Sequence, residues 1–244
     1  MSKRLKFFLS HLSISAMIAL IVVGLVFFIW YPMPLAEAVG VTDIFLMLLV
    51  IDVIVGPVLG WLVYKEGKKT LKMDLSIIVL LQISALFYGI FSIEQGRPVW
   101  LAYTVDRFEL VRKNEVFDQN IMQAQKQYQS SSWLKPKFVS VEFAKDIEER
   151  NKNMFDDVMG GISIAQRPER YVDFFLAKPQ IQQRAQDLDL LKQFNDQQAV
   201  QKTLAKYPQA DAFVPLKATA VDMTVLINKE TGEVVKIVDL RPWE

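Results

Sequence analysis

IFLMLLVIDVIVGPVLGWLV, residues 44–63, decides how the rest of the chain is read. It is an apolar run broken by one carboxylate, Asp52. A helix of about 20 residues at ~1.5 Å per residue crosses the ~30 Å hydrocarbon core of a bilayer. Two runs of similar length flank it: LSISAMIALIVVGLVFFIW at 12–30 and LSIIVLLQISALFYGIFSI at 75–93. The spacing predicts three transmembrane helices, at about 12–30, 44–63 and 75–93, within a membrane domain over residues 1–95.

The basic residues around these runs set the expected topology. Lys3, Arg4 and Lys6 precede the first run, none lies between Trp30 and Val63, and Lys65, Lys68, Lys69 and Lys72 crowd the second connection. Positively charged loops stay on the cytoplasmic side. The N-terminus is therefore expected inside and residues 96–244 outside, as one domain. Ala36-Glu37-Ala38 resembles a signal-cleavage site, but the apolar run before it exceeds the 7–15 residues or so of a secretory signal, so an uncleaved anchor is expected.

Composition removes several function classes. The seven basic residues before Arg97 all lie in the two segments read as cytoplasmic, and the remaining 21 Lys plus Arg balance 21 Asp plus Glu. A balanced surface lacks the clustered cations that nucleic-acid binding uses, so no nucleic-acid partner is expected. There is no cysteine, and the single histidine, His11, sits at the inner edge of the first run. Thiolate catalysis is excluded, and so are His-based triads and multi-His zinc sites outside the membrane.

In the second run Asp52, Gly56 and Gly60 fall on one side of a helix, with Pro57 between them. A carboxyl group at that depth costs ~2.5–3.5 kcal/mol on insertion scales, so it is expected to face another helix. G-x-x-x-G allows two backbones to approach closely. Asp52, Gly56, Pro57 and Gly60, with Gln82 and Tyr88 of the third run, form the candidate helix-docking set. Three readings stay open: bonding inside the three-helix bundle, contact with a partner helix, or proton or ion handling, which would normally want more intramembrane ionisable groups than one. An intramembrane aspartyl pair is disfavoured, because Asp43 and Asp74 lie at opposite membrane edges.

The outer domain reads as α+β with a mainly antiparallel sheet. Val99, Leu101, Tyr103 and Val105 alternate as a strand does, and Phe108 and Leu110 continue the pattern past an irregularity at Asp106-Arg107. Helices are expected over Phe117 to Tyr128, over Ile147 to Val158 with a stop at Gly160-Gly161, and within Gln180 to Lys206. A short strand is expected at Lys137 to Phe143, and a closing hairpin turns at Lys229 to Gly232. No nucleophile elbow, phosphate loop, dinucleotide turn or His-containing metal motif occurs, so neither a catalytic residue nor a cofactor is assigned. Glu148-Glu149 and Asp156-Asp157 read as a solvated helix face.

With these residues in view, the chain resembles the type IV pilin accessory proteins, the TfpX/TfpZ and FimB-like group. The likeness runs through Asp52, Gly56-Pro57, Gly67, Lys68, Leu71, Asp74-Leu75, Gln82 and Tyr88-Gly89. Its most specific block is Arg97-Pro98-Val99 followed by Asp106-Arg107-Phe108. Thr231-Gly232-Glu233-Val234-Val235 and Asp239-Leu240-Arg241-Pro242-Trp243 complete it, while residues 119–208 match poorly. Arg97, Pro98, Asp106, Arg107, Phe108, Gly232, Asp239, Arg241, Pro242 and Trp243 are read as structural signatures. The resemblance implies a multi-pass inner-membrane protein of a Gram-negative bacterium with a periplasmic domain. It implies a non-enzymatic, chaperone-like factor that promotes pilus biogenesis and modulates twitching motility. The implied partners are the cognate major pilin, the bilayer and other pilus assembly components. Asp52, Gly56 and Gly60 would then engage the pilin helix while the outer domain cradles the pilin head. The rival reading is a membrane-anchored enzyme such as a hydrolase or pilin-modifying transferase; a transport component or a sensor is less well supported.

Overall fold

The structure, a computed structural model, describes residues 1–144 and 146–243, leaving aside the side chains of Glu149 and Lys152. The chain divides into two units: Met1–Pro32 with Val41–Gly96, and Met33–Gly40 with Arg97–Glu244. The first connection between apolar helices thus belongs to the second unit, although sequence placed it in the membrane domain.

In the first unit, α1 (Lys3–Leu25) continues through a wider turn (Val26–Trp30), and α2 (Leu35–Ala38) belongs to the second unit. It is followed by α3 (Thr42–Val63) and α4 (Leu71–Gly96). Among the described residues these are the three helices long and apolar enough to cross a membrane, at 28, 22 and 26 residues. They exceed the apolar runs because each extends into its polar flanks. Polar contacts tie α1 and α3 at the end rich in basic residues. Arg4 donates to the Trp61 carbonyl at 2.6 Å and stacks on its ring at 4.1 Å, while Lys3 pairs with Glu66 at 3.4 Å. At the other end the Tyr31 hydroxyl donates to the Ile93 carbonyl at 2.6 Å.

The second unit contains β1 (Pro98–Tyr103), β2 (Phe108–Arg112), β3 (Lys137–Val141), α5 (Ile147–Gly160), β4 (Tyr171–Val172) and α6 (Lys178–Arg184). It ends with β5 (Gln186–Asp187), α7 (Gln197–Leu204), β6 (Ala212–Lys217), β7 (Met223–Asn228) and β8 (Glu233–Val238). Among the described residues, eight strands form one sheet in the order β4-β3-β1-β2-β6-β7-β8, with β5 beside β6. The sheet is mixed, which corrects the expected mainly antiparallel one: β1 runs parallel to β3, and β2 parallel to β6. Neither parallel pair is consecutive in the chain: β2 intervenes between β1 and β3, and β3, β4 and β5 intervene between β2 and β6, so no hairpin joins them.

Both faces of the sheet are covered. Leu101, Tyr103, Phe108, Val214 and Val225 pack on one side with Ile181 of α6 and with Leu35 and Ala38 of α2. On the other side Trp100, Tyr128 and Tyr171 form one cluster, and Phe213, Leu226, Leu191 and Val200 another. Burial on both faces explains why β1 is apolar throughout rather than alternating.

Two further expectations are corrected. Asp106-Arg107 is a turn, in which Thr104 N donates to the Arg107 carbonyl at 2.9 Å, so Phe108 begins a new antiparallel strand. Phe117 to Tyr128 forms short 3-10 turns, Ile121–Gln123 and Lys126–Tyr128, instead of a helix; its apolar residues are spent on the Trp100 cluster. The helical expectation for residues 180–206 agrees with the structure, in which α6 and α7 are separated by β5 and a 3-10 segment. β6 was not foreseen, because Pro215 interrupts its pattern. That proline falls between the residues paired with β5 (Ala212, Phe213) and those paired with β2 (Leu216, Lys217), where the ladder on that side is already broken.

Candidate functional site

The polar residues of the apolar helices converge on one amide. Gln82 of α4 places Oε1 at 2.9 Å from His11 Nε2, and its Nε2 donates to Ser15 Oγ and to the Asp52 carbonyl, both at 3.0 Å. Because Oε1 can only accept, the bond assigns the His11 proton to Nε2 and leaves Nδ1, which is buried, as an acceptor. One side chain thereby links all three helices, each through a polar group that lipid would leave unsatisfied.

Gly56 and Gly60 make this junction possible. A Cβ at Gly56 would lie 2.0 Å from Gln82 Oε1, and one at Gly60 would lie 2.9 Å from Phe7 Cε1 and 3.4 Å from His11 Nδ1. The G-x-x-x-G face therefore docks helices of this same chain, and both glycines and Pro57 are buried. Of the two open readings for the glycines, the geometry carries the internal one. Tyr88 is 74 % exposed and takes no part in the Gln82 junction.

Asp52 lies between two cavities. One of about 300 Å³ is lined by Phe7, His11, Ser15, Asp52, Gln82 and Leu86 among others. The second, of about 270 Å³, is lined by Val22, Phe45, Asp52, Leu86, Tyr88 and Ile93 among others. Leu49, Asp52 and Leu86 line both. Both cavities lie among residues of α1, α3 and α4, and Asp52 is the one carboxyl-bearing residue that lines them. Among the described residues no group of three His, Asp or Glu side chains gathers as metal ligands would.

The signature residues of the second unit hold its framework. Arg97, 1 % exposed, donates to the Leu134 carbonyl at 3.4 Å, and Pro98 opens β1 opposite Arg112. Arg107 reaches Asp106 at 3.9 Å and Glu109 at 3.4 Å across the turn. Phe108 packs its ring against Tyr103, Phe138 and Phe174. Gly232 has φ +67°, and a Cβ there would meet the Lys178 carbonyl oxygen at 2.9 Å.

The closing segment works as a clamp. Trp243 Nε1 donates to Asp222 Oδ2 at 2.6 Å, Arg241 Nη1 to the Asp222 carbonyl at 2.5 Å, and Arg241 pairs with Asp239. Pro242 stands between Arg241 and Trp243. Asp222 Oδ1 accepts from Ala218 N at 2.8 Å, closing the β6–β7 turn. In that turn Ala220 N and Val221 N both donate to the Ala38 carbonyl, at 3.0 and 3.1 Å. Arg241 is the most perturbed cation of this region: burial pulls its pKa down, against the opposing pull of Glu37 and Asp222. The tail thus holds the turn that holds the connection between α1 and α3. Sequence reasoning missed this role of residues 33–40, whose apolar Leu35 and Ala38 were the available signal.

Comparison with known proteins places these features in context. Residues 1–40 match the family model described as fimbrial assembly protein FimB. A fimbrial assembly protein of serogroup E1 from Dichelobacter nodosus is 28 % identical over 230 residues, covering 90 % of this chain and 88 % of the relative. That of serogroup I from the same organism is 28 % identical over 229 residues with the same coverage. That of serogroups C1 and C2 is 31 % identical over 116 residues, 47 % of this chain and 88 % of the relative. No solved structure matches the chain.

Proposed function

This chain belongs to the family of fimbrial assembly proteins that includes FimB, and from that premise we propose that it is a non-enzymatic inner-membrane accessory factor of type IV pilus biogenesis. It acts on the major pilin, promotes pilus assembly and through it modulates twitching motility. The N-terminus lies in the cytoplasm and the second unit in the periplasm, a placement supported by the distribution of Lys and Arg between the apolar runs.

The observation that carries this reading is the pair of adjoining cavities among α1, α3 and α4 that share Asp52, read as one groove between α1 and α4. A pilin helix packed in such a groove would meet apolar walls, and a polar group on that helix facing Asp52 would fix its register. Gly56 and Gly60 serve indirectly, by bringing together the helices that make the walls. The periplasmic unit supplies a second contact, and two linked contacts hold a subunit that neither would retain alone.

The test is photocrosslinking in intact cells, with the reactive residue at Leu49 or Leu86 in the groove, or at Leu80, which lines neither cavity. Adducts with pilin are expected at the first two positions and not at Leu80, and Asp52→Leu should reduce them severalfold at unchanged expression. Equal adducts at all three positions, or none in cells that assemble pili, would refute groove docking.

A further inference from the structure

Helix α5 is built inside out. Its polar side faces the domain: Asn153 is buried, and Asp156 Oδ2 meets Arg167 Nη2 at 2.7 Å. Arg167 is 3 % exposed, packs over the Phe117 ring at 4.6 Å and reaches Glu169 at 3.7 Å. Asp156 is therefore an anchoring side chain, where sequence suggested a solvated one, and it fixes which way the helix faces. The opposite side carries Ile147, Met154, Phe155, Val158 and Met159, each between 62 and 76 % exposed. These five offer on the order of 600 Å² of apolar surface, the upper end of what a monomer exposes. A symmetric pair of such faces buries about 1,200 Å², where stable interfaces begin.

The charges beside this face indicate what fits it. Arg150 and Asp157 are seven residues apart, about two helical turns, so they share one edge of the helix at a separation of ~10.5 Å. Both are exposed. Arg150 reaches the Ala144 carbonyl at 3.3 Å and the Phe143 ring at 5.9 Å, and among the described residues neither it nor Asp157 has an ion-pair partner. In a parallel pair of α5 helices each charge would face its like. In an antiparallel pair about a two-fold axis the same edges adjoin with their ends exchanged, so Arg150 of each copy meets Asp157 of the other. The axis then passes between positions 153 and 154 and sets Met154 against Met154 of the second copy. Ile147 comes beside Val158 of the second copy, offset along the axis by only ~3 Å. Ile147, Met154 and Val158 are themselves one stripe, at spacings of seven and four. The register that pairs the charges is thus the register that mates the apolar residues.

We propose that α5 is a self-docking face, on which a second copy of this chain seats its own α5 antiparallel, with Met154 at the two-fold axis and an Arg150–Asp157 pair on either side of it. The inference goes beyond the action on pilin and does not depend on it. Apolar burial supplies the attraction, because exposed ion pairs contribute little by themselves. The two ion pairs select direction and register. Met154 and Met159 are unbranched and adapt to the shape of the opposing helix. The same patch serves both copies, so the assembly closes at two.

The chain has no cysteine, so Met154→Cys, Ile147→Cys and Val158→Cys each introduce a single thiol, with Met122→Cys, at an 82 % exposed position, as the control. The full chain in native membranes is treated with a short bis-maleimide. Met154→Cys should give severalfold more covalent dimer than Met122→Cys. Ile147→Cys and Val158→Cys should each stay at the control level alone and rise severalfold when the two are co-expressed. Arg150→Asp in the Met154→Cys background should lower the yield severalfold, and adding Asp157→Arg should restore it. Dimer at 154 no greater than at 122 would overturn the proposal, whether that thiol reacts freely with a soluble maleimide or is shielded by some other partner. Coupling of Ile147→Cys to itself would overturn the antiparallel pairing. Failure of Asp157→Arg to restore the dimer would overturn the register.

Discussion

Gln82 and Gly56 occupy adjoining space so tightly that a Cβ on residue 56 would lie 2.0 Å from the Gln82 amide oxygen. The amide bonds to His11, Ser15 and the Asp52 carbonyl exist only because position 56 has no side chain. Gly56→Ala should expel Gln82 and destabilise the helix bundle by ~1–3 kcal/mol, the usual cost of overpacking. Thermal unfolding in detergent reads this directly. The double variant Gly56→Ala with Gln82→Ala should recover part of the loss, with a coupling of ~0.5–3 kcal/mol for residues in contact. Strict additivity would show that the two positions do not share the space.

Gly232 answers to two constraints, and substitutions can separate them. Its φ of +67° disfavours alanine, while asparagine tolerates it. The Lys178 carbonyl oxygen, 2.9 Å from any Cβ, disfavours both. Gly232→Ala should cost ~1–3 kcal/mol, in the range for strained backbone. If the close approach dominates, Gly232→Asn will unfold at nearly the same lowered temperature as Gly232→Ala; recovery to the parent midpoint with asparagine would assign the effect to φ alone.

The three long apolar helices were legible because length and apolarity alone define them, and the turn at Gly232 because it needs a residue free of Cβ. The two glycines of α3 were legible as a docking face, but their occupants were not. Gln82 stood in the candidate set, but its bonds to His11 and Ser15 were not legible, since those residues are far from it in sequence and nothing local pairs them. In the second unit the pattern misled wherever tertiary contacts chose the backbone. Ala124 and Tyr128 fit helical spacing, yet they are fixed by Trp100, with Tyr128 and Tyr171 rings at 6.0 and 5.4 Å from it. Parallel pairing of β1 with β3 leaves no mark in either strand, since it depends on the path of the chain between them. The stripe of α5 was read as amphipathic, but periodicity cannot say which face a helix turns inward.

The clamp formed by the tail makes a local prediction about residues 33–40. Asp222→Ala removes acceptors for Trp243 Nε1 and Ala218 N. Each such bond contributes ~0.5–1.5 kcal/mol, and more when the acceptor is charged. The β6–β7 turn should open more often, and amide exchange at Ala220 and Val221, both bonded to Ala38, should accelerate about tenfold for each ~1.4 kcal/mol lost. Amides in the centre of β1 should exchange at the parent rate. Acceleration spread evenly over the domain would indicate global destabilisation and not the release of one segment.

Alkaline stability should report on Tyr103. Burial, reinforced by the nearby Asp106 charge, pushes its phenol from the ordinary value of 10.0 up to about 12, and its hydroxyl donates to the Val105 carbonyl at 3.3 Å. The folded state holds this proton more tightly than the unfolded chain does. Its contribution is therefore complete below about pH 10 and falls away as pH rises from there to about 12. At ~1.36 kcal/mol per pKa unit, a shift of this size carries at most about 2–3 kcal/mol. Tyr103→Phe loses the hydrogen bond at every pH but cannot lose the proton. Its unfolding temperature should start lower at pH 9 and decline less steeply toward pH 12, so that the two curves converge. Lys and Arg deprotonation affects both proteins alike and cancels in the difference. Parallel curves across that interval would mean that Tyr103 titrates no differently in the folded and unfolded chains.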